Sequence, residues 1–281
     1  TSRIITREEI ERAGAISLSE LIASKFGIHF IQEGIWGARD TESSTGAKIR
    51  HRGKEMKVMI DGHPASMSMF NCIINNELTS DFGEAVEVSY GTESVIYGSD
   101  GLGGVINLIT RSVSGDEFTI KVLGGNEGSR LIDFFSGIDT KKADMIVSGQ
   151  GKKTDGNLTH SALEDYNIFG KMVYQINKEW KGEISGKYYY GDWERPEIMN
   201  VLPSTQKVYR NNSTVDFTRT GQNTFFQFRI HHLYGYHHFQ LNDGWRSEDQ
   251  SYGVNLTETI RQKDLVFTFG ADYRRYGAHH I

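Results

Sequence analysis

Side chains able to ligate or attack fall into a few small groups along the chain. His63, Met67, Met69 and Cys72 share one short stretch directly after Asp61-Gly62. Imidazole, thioether and thiol together suit a soft cation such as Cu(I), so these four are the candidate substrate contacts. The same residues also read as packing, because methionine fills irregular apolar gaps, and that reading is the stronger of the two. His231, His232, His237 and His238 flank Leu233 to Gly235, which reads as a turn between two strands. Neighbours on a strand face opposite ways, so neither pair converges on a metal, and interface histidines are expected. His279 and His280 stand at the outer end of the last strand, where a haem or metal contact has no further support.

Gly98, Gly101, Gly103 and Gly104 suggest a phosphate-cradling loop at first sight. Such loops end in Lys-Ser/Thr or open a helix, whereas Val105 to Ile109 is a β-branched run leading into more strand. No Gly-x-Ser-x-Gly or His-Glu-x-x-His occurs, and no nucleophile is singled out. The expectation is a binding protein without catalysis, and no cofactor is expected.

The elements that must position these residues change character along the chain. Thr6 with Glu9 and Ser17 with Glu20 fit the capping box, in which hydroxyl and carboxylate satisfy backbone donors at a helix start. Leu18, Leu21, Ile22 and Phe26 then recur at helical spacing before Gly27. From Gly27 to Arg111 short β segments follow, at Ile28–Ile31, Lys48–Arg50, Lys57–Ile60, Ala85–Tyr90 and Gly104–Thr110. Beyond Ser112 the sequence alternates to its end, and about nine strands are expected, mostly near the roughly 9 to 11 residues that cross a bilayer when tilted.

These strands are placed at Glu117–Gly124, Ser129–Ile138, Ala143–Gly151, Asp165–Asn177, Lys181–Trp193, Gln222–His232, Tyr236–Arg246, Ser251–Arg261 and Leu265–Tyr276. Tight turns at Asp139–Lys142, Lys178–Trp180 and Gln262–Asp264 contrast with long polar loops at Lys152–Glu164 and Glu194–Gly221, the asymmetry of an outer-membrane barrel. Tyr188, Tyr189, Tyr190, Trp193, Tyr234, Tyr236 and Trp245 sit where an aromatic girdle would. Alternation alone also fits a soluble antiparallel sandwich.

Composition narrows the classes. The 281 residues are 37% hydrophobic and 24% charged, and mean hydropathy is −0.47. No run approaches the 18 or so apolar residues of a spanning helix, while a barrel strand, showing lipid and lumen alternately, keeps average hydropathy low. Net charge is −5 with no basic stripe, so no nucleic-acid partner is expected. Cys72 is the only cysteine, so no intrachain disulfide forms.

Two segments carry a resemblance. Val58–Pro64 reads Val-Met-Ile-Asp-Gly-His-Pro, a strand ending in Asp-Gly. Ala85–Ser112 runs through Tyr90-Gly91, Tyr97-Gly98-Ser99 and Gly103-Gly104-Val105-Ile106-Asn107. Together with Gly14, Leu18 and Leu21 and with Arg52-Gly53, this resembles the plug of TonB-dependent outer-membrane receptors. The motif residues are Arg52, Gly53, Asp61, Gly62, Gly91, Tyr97, Gly98, Gly103, Gly104 and Asn107; Thr92 departs from the proline common after the glycine.

The resemblance implies an α+β plug domain at residues 1–114 followed by antiparallel transmembrane β-barrel strands at 115–281, an incomplete part of a twenty-two-stranded barrel that stops near the outer face. It further implies a Gram-negative outer membrane, TonB as energising partner, outer-membrane lipid around the wall and a small-molecule or metal-complex cargo. A ferric siderophore is the default cargo; copper, haem, cobalamin and an oligosaccharide stay open. Ligand contact is expected at Met59–Cys72 and at the Glu194–Gly221 loop, and nothing before Ile4 offers the TonB contact. The other class is a non-transporting surface-binding β protein, an adhesin or glycan-binding sandwich.

Overall fold

The computed structural model describes residues 2–18, 20–22, 49–51, 54–66, 73–91, 103–196, 203–240 and 244–280. The N-terminal part is a five-stranded sheet in the order β1-β6-β7-β4-β5, from β1 (Ser2–Thr6), β4 (Lys57–Ile60), β5 (His63–Pro64), β6 (Gly83–Tyr90) and β7 (Gly104–Thr110). β4 runs parallel to β7, and the other pairings are antiparallel. Being inside on both faces, β4 is buried at all four residues, Lys57 included. Two-residue strands β2 (Arg50–His51) and β3 (Lys54–Glu55) form a separate ribbon.

The first capping box forms in full, and the second pair makes the serine half of one. Thr6 N–H donates to Glu9 Oε2 at 3.1 Å and opens α1 (Arg7–Ala13), which ends at Gly14 with φ 62. Glu20 N–H donates to Ser17 Oγ, and Ile16 N–H to Glu20 Oε2, ahead of helical residues at 18 and 20–22. Ile5, Ile10, Leu21, Ile22, Val86 and Leu108 make the core of this unit. β1 is an addition to the sequence reading, which begins at the first cap. Phe26, Gly27 and Ile28–Ile31 lie outside the described residues.

The rest of the described chain is one nine-stranded antiparallel meander, each strand beside its sequence neighbours. In order these are β8 (Glu117–Gly124), β9 (Arg130–Asp139), β10 (Ala143–Thr154), β11 (Leu163–Gln175), β12 (Trp180–Arg195), β13 (Ser204–Thr220), β14 (Thr224–Gln240), β15 (Trp245–Gln262) and β16 (Leu265–His280).

Nine strands are found where nine were expected, but two errors cancel. The expected loop at Glu194–Gly221 is largely β13, a 17-residue strand. Its inner residues include Gln206, Arg210, Asn212 and Asp216 and its outer ones Lys207, Asn211 and Ser213 beside Tyr209, Val215 and Phe217, so polar side chains fall on both faces and hydropathy does not alternate cleanly. Conversely, no turn exists at Leu233–Gly235: residues 224–240 form one strand. Gly235 is there because Asp249 and Arg210 side chains occupy the space a Cβ would take. Strands β12 to β16 are 16 to 18 residues long, longer than a bilayer requires.

The two ends of the meander differ. One end carries the connections 140–142, 176–179, 221–223 and 263–264, the other 125–129, 155–162, 196–203 and 241–244. Its two faces differ more. One shows Phe118, Ile120, Val122, Ile132, Ile168 and Ile184. The other carries Gln150, Lys152, Asp165, Asn167, Lys187 and Arg210, all buried. This polar face meets the N-terminal unit, whose core cluster takes in Phe135, Ile146 and Phe169 of the wall. The expected girdle is therefore corrected in part. Tyr190, Tyr209 and Tyr236 form an outward row with Tyr166, but Tyr189, Trp193 and Trp245 are on the inward-facing register.

Candidate functional site

The interface between the globular unit and the wall holds two tiers of polar contact. The lower tier is the turn after β4. Asp61 has φ 48 and Gly62 φ 80, a left-handed pair that an Asp-Gly sequence adopts at low cost. The turn is tied back to β7: Thr110 N–H donates to Asp61 Oδ1 at 2.9 Å, and Gly62 N–H donates to Asn107 Oδ1 at 2.9 Å.

Three successive residues then each meet a different wall strand. Asp61 accepts from Lys171 Nζ of β11 at 3.2 Å. Gly62 lies under the Arg229 guanidinium of β14, so that a Cβ would collide with Nη1. His63 Nε2 and Asp216 Oδ1 of β13 share a 2.8 Å hydrogen bond. Arg229 and Glu183 complete the tier through Asp216 and Lys171. Asp216 stands near the Thr220 end of β13, so this tier sits toward the short-turn end.

The upper tier is a 3-10 turn at Asn75–Glu77. Glu77 is 2% exposed, and its carboxylate pairs with Lys187 Nζ at 2.7 Å and Arg210 Nε at 3.0 Å. Its carbonyl accepts from Asn167 Nδ2 at 2.6 Å. Lys152 Nζ donates to Asn76 Oδ1 and pairs with Asp165, and Arg210 reaches Asp249 at 3.5 Å. Lys152, Lys187 and Arg210 thus stand against Asp165, Glu77 and Asp249, a balanced set. Balance matters, since a buried charge without a partner is expensive. Ile74 packs on Tyr189 and Val208, with Trp193 beside them; Val208 lies near the Ser204 end of β13, toward the longer loops.

A third contact is apolar. Phe82 stacks on Phe169 at 4.6 Å between centroids, and the Arg111 guanidinium lies 3.6 Å over the Phe135 ring. Next to it Asp81 is buried, and that burial pushes its carboxyl above the ordinary range, with a hydrogen bond from the Thr79 side chain working the other way.

The structure places His63 against Asp216, buried, and not on an open surface. Gly62 and Asn107 meet as described, Gly91 is exposed with φ 105 and Gly104 has φ 123. Gly103 passes so close to the Lys54 and Glu55 backbone that only glycine fits. Met67, Met69, Cys72, Arg52, Gly53, Tyr97 and Gly98 lie outside the described residues. The chain between Ser66 and Ile73, which carries the two methionines and the cysteine, joins the lower tier to the upper.

His231 and His237 face inward and are buried, whereas His232 and His238 face outward. The expectation of interface histidines at a turn is thereby corrected: all four belong to the middle and upper part of β14. Among the described residues no group of three or more His, Cys, Asp or Glu could hold a metal. Glu77 was missed by sequence reasoning. The available signal was one acidic residue in the short run Ile73-Ile74-Asn75-Asn76-Glu77-Leu78. Trp193 and Trp245, inward near the loop end beside Phe239, were missed as lining residues because they read as girdle.

Comparison with known proteins agrees with this arrangement. Residues 1–105 match the TonB-dependent Receptor Plug Domain family. A vitamin B12 transporter, BtuB, of Photobacterium profundum is 24% identical over 204 residues, covering 67% of this chain and 32% of that protein. BtuB of Vibrio cholerae is 26% identical over 190 residues, covering 63% and 30%. The chain therefore spans about a third of the length of these relatives.

Among solved structures, the siderophore receptor PiuA from Acinetobacter baumannii superposes with TM-score 0.79 at 15% identity, over 100% of this chain and 46% of that one. The copper transporter OprC superposes with TM-score 0.80 at 12% identity, over 99% and 46%. With a plug sheet lodged against the polar face of a meander whose other face is apolar, the chain is similar to TonB-dependent receptors, and its residues 1–105 match the plug domain of that family.

Proposed function

We propose that this chain is the plug and first wall strands of a receptor for energised uptake of a scarce nutrient, with residues 1–114 as the plug and 115–281 as wall. The observation that carries this reading is the inverted polarity of the wall: apolar side chains outward, and charged side chains inward against the plug. A soluble adhesin or glycan-binding sandwich would bury the apolar face, which disfavours the non-transporting alternative.

In this reading the short turns face the periplasm and the longer loops the exterior. Cargo arrives at the loop end, where Trp193, Phe239 and Trp245 line the inner wall above Ile74. TonB acts on the plug from the periplasmic side and must break the lower tier before the upper. The work is binding and gating, without catalysis.

The cargo we favour is a ferric siderophore or another metal complex. Relatives named for vitamin B12, siderophores and copper leave the metal-complex class common to all three. Copper has its own supporting feature in Met67, Met69 and Cys72, without His63, which Asp216 occupies. The test is a binding titration of the purified full-length receptor with a ferric siderophore panel, cobalamin, haem and Cu(I). Saturable binding of one complex supports the proposal, and binding of none rejects it. Met67→Ala with Met69→Ala should abolish Cu(I) binding if copper is the cargo.

A further inference from the structure

Two imidazoles meet across the boundary between plug and wall. His63 of β5 is 3% exposed and His231 of β14 is 5% exposed, and their ring centroids lie 6.0 Å apart in an edge-on contact. Their surroundings differ. His63 Nε2 shares a 2.8 Å hydrogen bond with Asp216 Oδ1, whereas His231 Nε2 is buried with no hydrogen-bond partner among the described residues. The His231 ring lies over Gly253, where a Cβ would collide with it. Thr214, His231, Gly253 and Arg274 are direct cross-strand partners in one row, so the first charged side chain beyond the glycine is a cation.

The charges around the two rings balance while both rings are neutral. Asp61 of the plug turn is held by Lys171 of β11, which also reaches Glu183 of β12. Asp216 of β13 is shared by His63 and by Arg229 of β14, and Asp272 of β16 pairs with Arg274 at 2.8 Å. Lys57 of β4 acts on His231 from the plug side. Four carboxylates thus face four cations. A first proton, on His63, lies against Asp216. A second, on His231, would stand one row position from Arg274 and two residues from Arg229 on the same strand face, with a charged ring beside it and no carboxylate in contact. A buried charge without a partner is costly, and a like charge so close adds to that cost. When the plug withdraws, water reaches both rings, and a hydrated imidazole titrates near pH 6.5.

We propose that this pair makes the lower tier acid-labile: with the plug seated, His63 and His231 hold at most one proton between them, and with the plug withdrawn they hold two. The proposal rests on the reading of residues 1–114 as a plug that leaves the wall. The withdrawn state binds one proton more, so the seated plug is favoured fully above about pH 6.5 and loses ground as pH falls below it. At pH 5.5 one such proton is worth about tenfold in the opening equilibrium.

The experiment is limited proteolysis of the full-length receptor in detergent at about pH 7.5 and 5.5, each rate divided by that of an unfolded substrate at the same pH. Carboxylates such as Asp81 titrate alike in every variant, so the variants are compared with one another. The acid-to-neutral ratio of plug cleavage should be about tenfold larger in the unaltered receptor than in His231→Gln. His231→Phe keeps a ring over Gly253 and should give the same low ratio, which separates loss of the proton from loss of packing. Heat-modifiable gel mobility checks the wall of each variant. Glu77→Ala loosens the upper tier without touching either ring, so it should raise cleavage by one factor at both pH values and keep the ratio of the unaltered receptor. If it raises cleavage while the unaltered receptor, His231→Gln and His231→Phe all share one ratio, the proton pair is overturned and the plug reading stands. A shared ratio together with unchanged cleavage in Glu77→Ala overturns the seating of the plug at this boundary as well.

Discussion

The plug and the wall obey opposite rules about what goes inside. In the plug, Val86, Val88, Ile106 and Leu108 are buried in an ordinary apolar core. In the wall, Ile168 is 54% exposed while Arg210, one strand further in its neighbour's direction, is 2% exposed. The difference lies in the solvent. A plug is surrounded by water and by polar wall, so it hides hydrocarbon. A wall strand has lipid outside, where hydrocarbon costs nothing, and polar partners within. Both rules meet at the interface, and its energetics are those of buried ion pairs.

The sharpest way to break the comparison is Glu77→Ala. It leaves Lys187 and Arg210 buried without their shared carboxylate, and breaking a buried pair from one side costs about 3–5 kcal/mol. Limited proteolysis of the purified receptor should show the plug cleaved far faster than in the unaltered protein, while heat-modifiable mobility reports an intact wall. Unchanged protection would mean that the upper tier does not hold the plug.

Next in size is Ile168→Arg, which tests whether the outward face meets lipid. Placing arginine there should cost about 2–4 kcal/mol if the site lies near the bilayer midplane, read as a lower denaturant midpoint in lipid vesicles. No shift would say that this face is in water, and the wall would then be an ordinary sheet.

Gly62→Ala is smaller and probes the lower tier. The residue needs φ 80, and a Cβ would meet the Arg229 guanidinium. A strained left-handed non-glycine residue costs about 1–2 kcal/mol, and Arg229 must also move. The melting temperature of the receptor should fall, and Arg229→Ala in the same chain should recover part of the loss.

How far the sequence revealed all this depended on which rule a segment followed. β4 and β7 were legible to the residue, because their apolar runs are bounded by Asp-Gly and by glycines. The strands from β8 to β12 were legible through alternation, within a few residues at their ends. β13 was not, since Asn211 and Ser213 face out where Arg210 and Asn212 face in. No hydropathy pattern distinguishes such a strand from a loop, and only its pairing with β12 and β14 defines it. β14 was cut in two because Gly235 reads as a turn, when its role is to make room for Arg210 and Asp249. The plug motif was legible as a resemblance, but Glu77 was not, because its partners come from strands far along the chain.

The smallest effect concerns Asp81, the plug acid buried against the wall near Ser148 and Lys121. Burial raises its carboxyl above the ordinary value of 3.8, so the folded receptor keeps a proton there at pH values where the unfolded chain has released it. Its contribution to stability is therefore full below about pH 3.8 and is lost as pH rises through the raised folded value. This is opposite in sign to a salt-bridged carboxylate, whose contribution is lost as pH falls. Asp81→Asn keeps the shape and removes the titration. Denaturant midpoints at pH 4.5 and 7.5 should differ less in favour of low pH for the asparagine variant than for the unaltered receptor. The variant should gain at the higher pH relative to the lower. If the two proteins show the same difference between pH values, Asp81 is ionised in the fold. The plug would then meet that stretch of wall through a charge, as it does at Glu77, and not through the apolar Phe82–Phe169 stack beside it.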